Sequence, residues 1–220
     1  MLTFEEVKKN PLVKEFIGQT AIFLKAVGYT DHGSRHVNLV AKRAGELATS
    51  LKLPARIGEL CQIAGYCHDM GNFLGRSNHH YWGALLFSQV FKDRLKPEEL
   101  VKIMQAITGH DKKQPKITNP VTAMVILADK SDVNRSRVNV KNIRQIRTDI
   151  HDRVNYSVTS SRLEVNNKKK AIVLKLKVDA KFTPVMEYFE IFTDRMVFCR
   201  QAANYLGYKF NLEINNFKLL

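Results

Sequence analysis

The stretch Gly65-Tyr66-Cys67-His68-Asp69-Met70-Gly71 decides the fold. The apolar run from Ile57 to Cys67 predicts a helix that carries a histidine and an aspartate to its C-terminal end, and Gly71 is expected to cap that end. An imidazole and a carboxylate side by side at a helix tip are well suited to holding a metal ion. The rest of the chain offers further ligands in or beside predicted helices: His36, His79, His80, His110 and Asp129.

The composition indicates an intracellular protein with a sizeable core. The chain has 220 residues, of which 45% are hydrophobic, and this length suits one or two domains. No apolar run approaches the roughly 20 residues that span a bilayer, and the charged N-terminus lacks the apolar core of a signal peptide. Three cysteines without paired spacing are typical of reduced thiols. We therefore expect a cytoplasmic location and no membrane partner.

The net charge of +14 predicts attraction to polyanions and to phosphorylated molecules. Part of this charge is local, because residues 130–147 contain six basic side chains and one acidic side chain, directly after Asp129. A solvated basic surface is one interpretation of this segment. A phosphate-binding surface is the other, and its position next to a candidate metal ligand keeps that interpretation open.

Helical periodicity and helix breakers predict an all-α domain over residues 1–152. The first helical stretch, 3–27, is interrupted at Asn10-Pro11, where asparagine caps and proline starts a new helix. Ser34 is expected to cap the next helix, and Tyr81 and Trp82 are expected in the core. The remaining predicted helices cover residues 35–50, 54–71, 79–94, 97–109 and 120–129.

The pattern changes in residues 153–220, which predict a small α+β unit. Strands at 157–165 and 171–178 flank a polar turn and form a β-hairpin, and a helix covers 184–206. A third strand covers 208–214, with Leu219 as the alternative end. A hairpin alone would be marginally stable, so the helix is expected to cover its apolar face. The predicted fold class is therefore mainly α, with a helical bundle followed by this unit.

The ordered series of histidines and aspartates resembles the HD superfamily of metal-dependent phosphohydrolases. Cys67-His68-Asp69-Met70-Gly71 resembles its name-giving motif. The segment from His79 to Ala84 resembles the His-x-x-x-Gly-Ala segment of the binuclear members, which favours His79 over His80 as a ligand. Further segments resemble those of the first histidine, the later histidine and the final aspartate: Ser34–Val37, Ile107–His110 and Leu127–Asp132. The resemblance covers residues 29 to about 137.

This resemblance implies an HD-type bundle with one or two divalent metals. Four side chains suffice for one metal: His36, His68, Asp69 and Asp129. His79 and His110 would provide for a second metal, and Asp69, with two oxygens, would bridge the pair. Mixed imidazole and carboxylate ligands suit Mn²⁺, Fe or Zn²⁺, with Mg²⁺ a less suitable candidate.

The implied activity is hydrolysis of a phosphoester or phosphoanhydride in a phosphorylated small molecule, with a nucleotide favoured and metal-activated water as the nucleophile. Three residues are assigned to catalysis: His68, Asp69 and Lys130. Four are assigned to substrate binding: His80, Lys130, Arg135 and Arg137. Cyclic-di-GMP phosphodiesterases of this superfamily usually have a lysine after the motif glycine and a Gly-Tyr-Pro signature further on, whereas here Asn72 follows Gly71 and no Gly-Tyr-Pro occurs. Guanosine tetraphosphate hydrolases have acidic residues soon after the His-Asp pair, and here residues 70–73 contain none. Both substrates are therefore disfavoured, and the six-ligand pattern most resembles binuclear members such as HD-type diadenosine tetraphosphate hydrolases.

The alternative is a binding module that keeps a metal site and binds RNA or a protein partner through its basic C-terminal half. Basic side chains concentrate on or near the predicted hairpin: Arg162, Lys168, Lys169, Lys170, Lys175 and Lys177. Such a surface predicts salt-dependent RNA binding. The sequence leaves open whether the protein forms a homo-oligomer.

Overall fold

The first two thirds of the chain are helical in the computed structural model, which describes residues 1–111 and 116–219. Single turns of 3₁₀ helix lie at Asn72–Leu74, Lys92–Arg94 and Arg135–Arg137. None of the described helices combines the length and the apolar character needed to cross a bilayer. The α-helices before the first strand are α1 (Phe4–Lys9), α2 (Pro11–Ala26), α3 (Ser34–Ser50), α4 (Ala55–Cys67), α5 (His79–Phe91), α6 (Pro97–Gly109), α7 (Pro120–Lys130), α8 (Ile143–Thr148) and α9 (Ile150–Ser157).

Asparagine-proline pairs begin two of these helices. The Asn10 side chain accepts a hydrogen bond from the Val13 amide at 3.1 Å, so the predicted break between α1 and α2 is confirmed. Asn119 caps α7 in the same way. The prediction that Ser34 caps α3 is wrong by one residue, because Gly33 occupies the N-cap and its amide donates to the Asp31 carboxylate at 2.9 Å.

Helix α7 is the centre of the bundle. Every residue from Val121 to Lys130 is buried, as its nearly continuous apolar sequence predicts. It packs against α3, α4 and α6, and on a further side against the C-terminal helix. Because α7 ends at Asp129 and Lys130, this central helix places a carboxylate and an amine deep inside the protein.

The C-terminal unit has the predicted order of hairpin, helix and strand. Strand β1 (Val158–Asn166) pairs antiparallel with β2 (Ala171–Val178), and helix α10 (Val185–Tyr205) then crosses over to β3 (Lys209–Ile214), which runs parallel to β2. The third strand does not continue to Leu219, because residues Phe217–Lys218 form a separate short strand, β4. It returns through Asn215 and Asn216, whose positive φ angles of 51° and 71° are those of a tight hairpin turn.

Helix α10 lies between the sheet and α7. Leu174 on β2 and Leu212 on β3 are fully buried, as are Phe192 and Cys199 on α10. These side chains belong to the same hydrophobic cluster as the core of the helical bundle. The sheet therefore holds α10 against the end of the bundle where the predicted ligands lie.

Candidate metal centre

The His68-Asp69 pair lies just after the last residue of α4 rather than inside the helix. Helix α4 ends at Cys67, with His68 at the C-cap, so the prediction that it continues to Gly71 is wrong. Gly71 is also not a left-handed cap, since its φ is −86°. A Cβ at this position would lie 2.3 Å from the His79 carbonyl oxygen and 2.4 Å from the Gly83 nitrogen. The glycine is therefore required because this turn packs directly on the first turns of α5.

The four predicted histidine ligands converge as two pairs. The Nε2 atoms of His36 and His68 are 3.2 Å apart, and those of His79 and His110 are also 3.2 Å apart. All four side chains are at most 2% exposed. They come from the start of α3, the end of α4, the start of α5 and the end of α6, so four helix ends meet here.

The other ring nitrogen of each histidine faces an acceptor. His36 Nδ1 lies 2.7 Å from Asp132 Oδ2, whereas the remaining three Nδ1 atoms face backbone carbonyl oxygens at 2.6–2.9 Å, those of Gly65, Arg76 and Ile107. Since these oxygens can only accept, each Nδ1 is assigned the proton, and in the neutral ring each Nε2 keeps its lone pair. The four lone pairs therefore face a shared space, as in histidines that bind a metal, although His79 Nε2 also lies 3.2 Å from Arg76 Nη1.

Two carboxylates complete the cluster. Asp69 Oδ2 lies 3.5 Å from His36 Nε2 and 3.2 Å from His68 Nε2, and Asp129 Oδ1 lies 3.3 Å from His36 Nε2. The other oxygen of Asp69, Oδ1, is 3.3 Å from His79 Nε2 and 3.5 Å from His110 Nε2. We call His36, His68, Asp69 and Asp129 the first ligand set, and His79, His110 and Asp69 the second ligand set. Asp69 thus faces both sets with separate oxygens.

The cluster fits divalent metal ions. Donor atoms around a common ion with bonds of roughly 2.1 Å lie about 2.8–3.6 Å from one another, which is the spacing seen here. Facing lone pairs at 3.2 Å repel each other unless a cation or proton lies between them. Among the described residues, three overlapping groups could hold an ion: His36, His68 and Asp69; Asp69, His79 and His110; and His68, His110 and Asp129, which draws on both sets. The donor set is the one that the sequence predicts for one or two transition metals.

The electrostatics of the cluster also favour a cation. Burial alone would raise the pKa values of Asp69 and Asp129. For Asp69, His68 and other nearby histidines outweigh burial and hold the pKa well below its usual range. For Asp129, Lys130 and the nearby histidines do the same. Burial alone would lower the pKa of His68, but the two carboxylates outweigh it and raise this pKa to about 10. Burial lowers the pKa of His110 to about 4 despite nearby Asp69. The buried carboxylates therefore favour positive charge at His68, and a metal held there would compete with its proton.

Two basic side chains hold the rim of the cluster in place. Lys130 donates to Asp129 Oδ2 at 2.7 Å and lies 3.3 Å from Asp111 Oδ1. Arg76 pairs with the other oxygen of Asp111 at 3.0 Å and lies 3.9 Å from Asp69 Oδ1. Burial would lower the pKa of Lys130, but Asp129 and Asp111 raise it, so this amine stays charged at neutral pH.

A cavity of about 210 Å³ opens onto the cluster. His110, Asp69 and Asp129 form its floor, and α10 forms one wall with Ile191, Asp194, Arg195 and Phe198. Arg137, which the sequence analysis assigns to substrate binding, also lines this cavity. The Arg137 guanidinium is buried and bonds to the Asp132 carbonyl oxygen at 2.9 Å and to His32 Nε2 at 3.0 Å.

The structure does not bring every predicted site residue to this cavity. Arg135 is exposed, and its guanidinium lies over the Tyr156 ring, 5.1 Å from the centroid. His80 is half-buried beside His79 and Tyr81, whereas the His79 ring itself points at Asp69. The geometry therefore favours His79 over His80 as the ligand, as the sequence analysis does.

Several residues at the site were not assigned by sequence reasoning. Asp111 could have been found, because it directly follows His110 and repeats the His-Asp dipeptide. Arg76 lies three residues before His79, but it belongs to no motif. Asp132 ends the segment of Asp129, yet its contact with His36 depends on the fold. Arg195 is far along the chain and carries no sequence signal.

Known proteins resemble this chain in sequence or in structure. A model of the HD domain matches residues 33–154. Uncharacterized protein MJ1020 of Methanocaldococcus jannaschii is 23% identical over 159 residues, which cover 62% of this chain and 61% of that protein. The chain therefore spans about three fifths of the length of this curated relative. A crystal structure of a "predicted HD superfamily hydrolase" from an uncultured Thermotogales bacterium has a TM-score of 0.44 and 20% identity over 67% of this chain and 81% of that one.

The region that matches the HD domain is also the region that builds the cluster. It covers more than half of the 220 residues and contains all six clustered ligand candidates. Because of this match, the chain belongs to the HD-domain family.

Proposed function

We propose that this protein is a metal-dependent phosphohydrolase that acts on a phosphorylated small molecule, with a nucleotide as the favoured substrate. Membership of the HD-domain family supports metal-dependent hydrolysis as the general class of reaction. The observation that carries the proposal is the convergence of four Nε2 lone pairs on the two oxygens of Asp69.

The first ligand set would hold one divalent metal and the second ligand set another, with Asp69 shared between them. When bound, such metals act as Lewis acids that activate water and stabilise negative charge on phosphoryl oxygens. The residues around them have separate tasks in this proposal. Asp132 and the backbone carbonyls fix the ring orientations, and Lys130 holds Asp129 while adding positive charge at the cavity wall.

The substrate's phosphate would enter the 210 Å³ cavity above the ligands. Arg137 and Lys130 line this cavity and lower the cost of bringing a dianion into it. Arg76 and His32 form part of the same wall. A phosphate group is small enough for this space, whereas a nucleoside must extend beyond it.

The metal content of freshly purified protein tests the proposal. We expect one or two equivalents of Mn, Fe or Zn per chain, and phosphatase activity when Mn²⁺ is added. Asp69→Asn should lose the metal and lower the activity by more than about 100-fold, beyond the loss typical of residues outside the ligand set. Asp93→Asn, which changes an exposed aspartate away from the cluster, is the matched control.

The proposal would be refuted if the unmodified protein had no bound metal and no phosphatase activity. That result would favour the binding-module alternative, in which the basic hairpin binds RNA. The structure gives this alternative less support, because Lys175 is paired with Glu164 at 2.7 Å and lies 3.6 Å from Glu213, which neutralises part of the hairpin's charge. Salt-dependent RNA binding would distinguish the two.

A further inference from the structure

A second cavity adjoins the one above the metal ligands. Its volume is about 480 Å³, within the range of small-molecule sites. Three residues line both cavities: His32, Arg76 and Arg195. The two spaces therefore form one cleft with a narrow catalytic part and a wider outer part, which we call the outer cavity.

The outer cavity contains a buried acceptor without a partner. Asn155 on α9 is 3% exposed and lines this cavity. Its Nδ2 donates to the His151 carbonyl oxygen at 2.7 Å, which fixes the orientation of the amide. Its Oδ1 is buried and has no hydrogen-bond partner in the described part of the chain. A buried acceptor left unpaired costs free energy, so a donor group of a ligand would stabilise it.

The remaining walls of the outer cavity suit a molecule that has a flat ring system and several hydrogen-bond donors. The chain from Val27 to Thr30 forms one wall, which includes Tyr29, a residue that is 44% exposed. The Arg76 guanidinium lies over its ring, 5.9 Å from the centroid. The carboxylate of Asp149 lines another part and offers a further acceptor. Ribose hydroxyls and the amino groups of a nucleobase would supply the matching donors.

Arg195 lies at the junction of the two cavities, and its guanidinium has no anionic partner among the residues that the structure describes. Of the four Lys or Arg side chains that line the catalytic cavity, Lys130 and Arg76 are paired with carboxylates, and Arg137 bonds to two backbone carbonyl oxygens. Within the described residues, Arg195 makes neither a hydrogen bond nor an ion pair, and its guanidinium rests over the Phe192 ring at 4.4 Å. Its five donors therefore remain available to an anion.

We propose that the outer cavity binds the nucleoside part of a nucleotide, with Asn155 Oδ1 accepting a hydrogen bond from it and Arg195 binding the phosphate at the junction. The phosphate would thereby lie over Asp69 and Asp129, and the leaving group would lie away from them. This inference rests on the proposed function and names the residues that would bind the two parts of its substrate. The nearest opposing charge on the same helix is Asp194, which is exposed and also lines the catalytic cavity.

Steady-state kinetics with Mn²⁺ test the inference, with the four nucleoside 5′-monophosphates and p-nitrophenyl phosphate as substrates. The nitrophenyl group has no N–H or O–H donor, so it cannot use Asn155. Asn155→Leu should raise the KM for the preferred nucleotide about 3- to 10-fold and leave p-nitrophenyl phosphate unchanged. Arg195→Met should lower kcat/KM for both about 10- to 100-fold, because both substrates carry the phosphate.

Matched controls lie on α10. Arg200→Met and Asn204→Leu make the same two changes at exposed positions of this helix, and both should leave the kinetics unchanged. Asn155→Ala repeats the test with a smaller side chain, and thermal unfolding identifies a variant that has lost its fold. An equal loss on nucleotides and p-nitrophenyl phosphate in a folded Asn155→Leu protein would overturn the outer-cavity assignment.

Equilibrium binding separates this inference from the proposed function. Nucleoside 5′-monophosphates are titrated into metal-free protein, with and without each substitution. Binding weakened at least about threefold by Asn155→Leu and by Arg195→Met supports the inference even if the protein hydrolyses nothing. No binding to the unmodified protein, or binding that neither substitution weakens, overturns it, whatever the metal assay shows.

Discussion

Replacement of Asp132 by asparagine is expected to weaken metal binding at the first ligand set by about 10- to 100-fold. Asp132 is fully buried, and its Oδ2 lies 2.7 Å from His36 Nδ1 and 2.8 Å from Arg35 Nη2. Arg137 Nε lies 3.8 Å from the same oxygen. An asparagine oxygen can still accept from His36, but the negative charge that increases the basicity of its ring is lost. The second ligand set, which Asp132 does not contact, should keep its affinity.

The same contacts set the cost in stability. Removal of the charge leaves the buried Arg137 without the carboxylate nearest to it, so unfolding should become easier by about 2–4 kcal/mol. For a chain of this size the melting temperature would fall by roughly 5–15 °C. Asp31→Asn is the control, because Asp31 also pairs with Arg35, at 2.7 Å, but does not touch His36.

Metal affinity is measured by competition with a chelator of known Kd, and stability by thermal unfolding of the metal-free proteins. We expect two binding events in the unmodified protein, of which the Asp132→Asn variant weakens one. A folded variant with both affinities unchanged would refute the idea that Asp132 orients His36 for a metal. An equal loss of affinity in Asp31→Asn would attribute the effect to Arg35 instead.

Three further predictions concern stability. Gly71→Ala should cost about 2–3 kcal/mol in urea unfolding, because its Cβ would overlap the His79 oxygen and the Gly83 nitrogen, whereas no loss would mean that this turn can move freely. Hydrogen bonds from Arg56 lower the pKa of Glu99 in the folded protein, so ionised Glu99 stabilises the fold. This contribution is present above the pKa of Glu99 in the unfolded chain, about 4.3, and is lost as the pH falls through its lower pKa in the folded protein. Arg56→Ala should therefore destabilise the protein more at pH 7 than at pH 3, and the opposite order would refute the assignment. Metal at 100 times its Kd should stabilise the chain by about 2.7 kcal/mol over chelated protein, and an unchanged melting temperature would exclude a site formed only in the folded state.

Sequence patterns predicted the parts of the fold that depend on local chemistry. The helix starts at Pro11, Pro97 and Pro120 and the hairpin of β1 and β2 follow from residue preferences over a few positions. The clustered ligands were predictable as a set, because each lies at or near a helix end and their order resembles that of a known family. His151 falls outside that series, was not assigned to the cluster, and is exposed.

The errors arise where another part of the chain decides the outcome. Tyr81 and Trp82 were expected in the core, but both are 43% exposed, since the opposite face of α5 packs on α6. The end of α4 at Cys67 rather than Gly71 depends on the close contact with α5, which no local pattern contains. Asn155 and Arg195 lie in ordinary helical sequence and gain their surroundings only when α9 and α10 pack beside the bundle.

The C-terminal unit has a structural reason to be joined to the metal-binding bundle. Arg43 on α3 donates to Ser131 Oγ at 2.9 Å and to the Ser161 carbonyl oxygen on β1 at 2.6 Å, which ties the first strand to the end of α7 beside Asp129. The parallel pairing of β2 and β3 then ties both ends of α10 to the sheet, which favours its packing on α7. Since α10 carries Arg195, the sheet determines the position of a cation at the junction of the cleft, although no strand residue lines the cavity above the ligands. A substitution that loosens the sheet should therefore affect substrate affinity before it affects metal content.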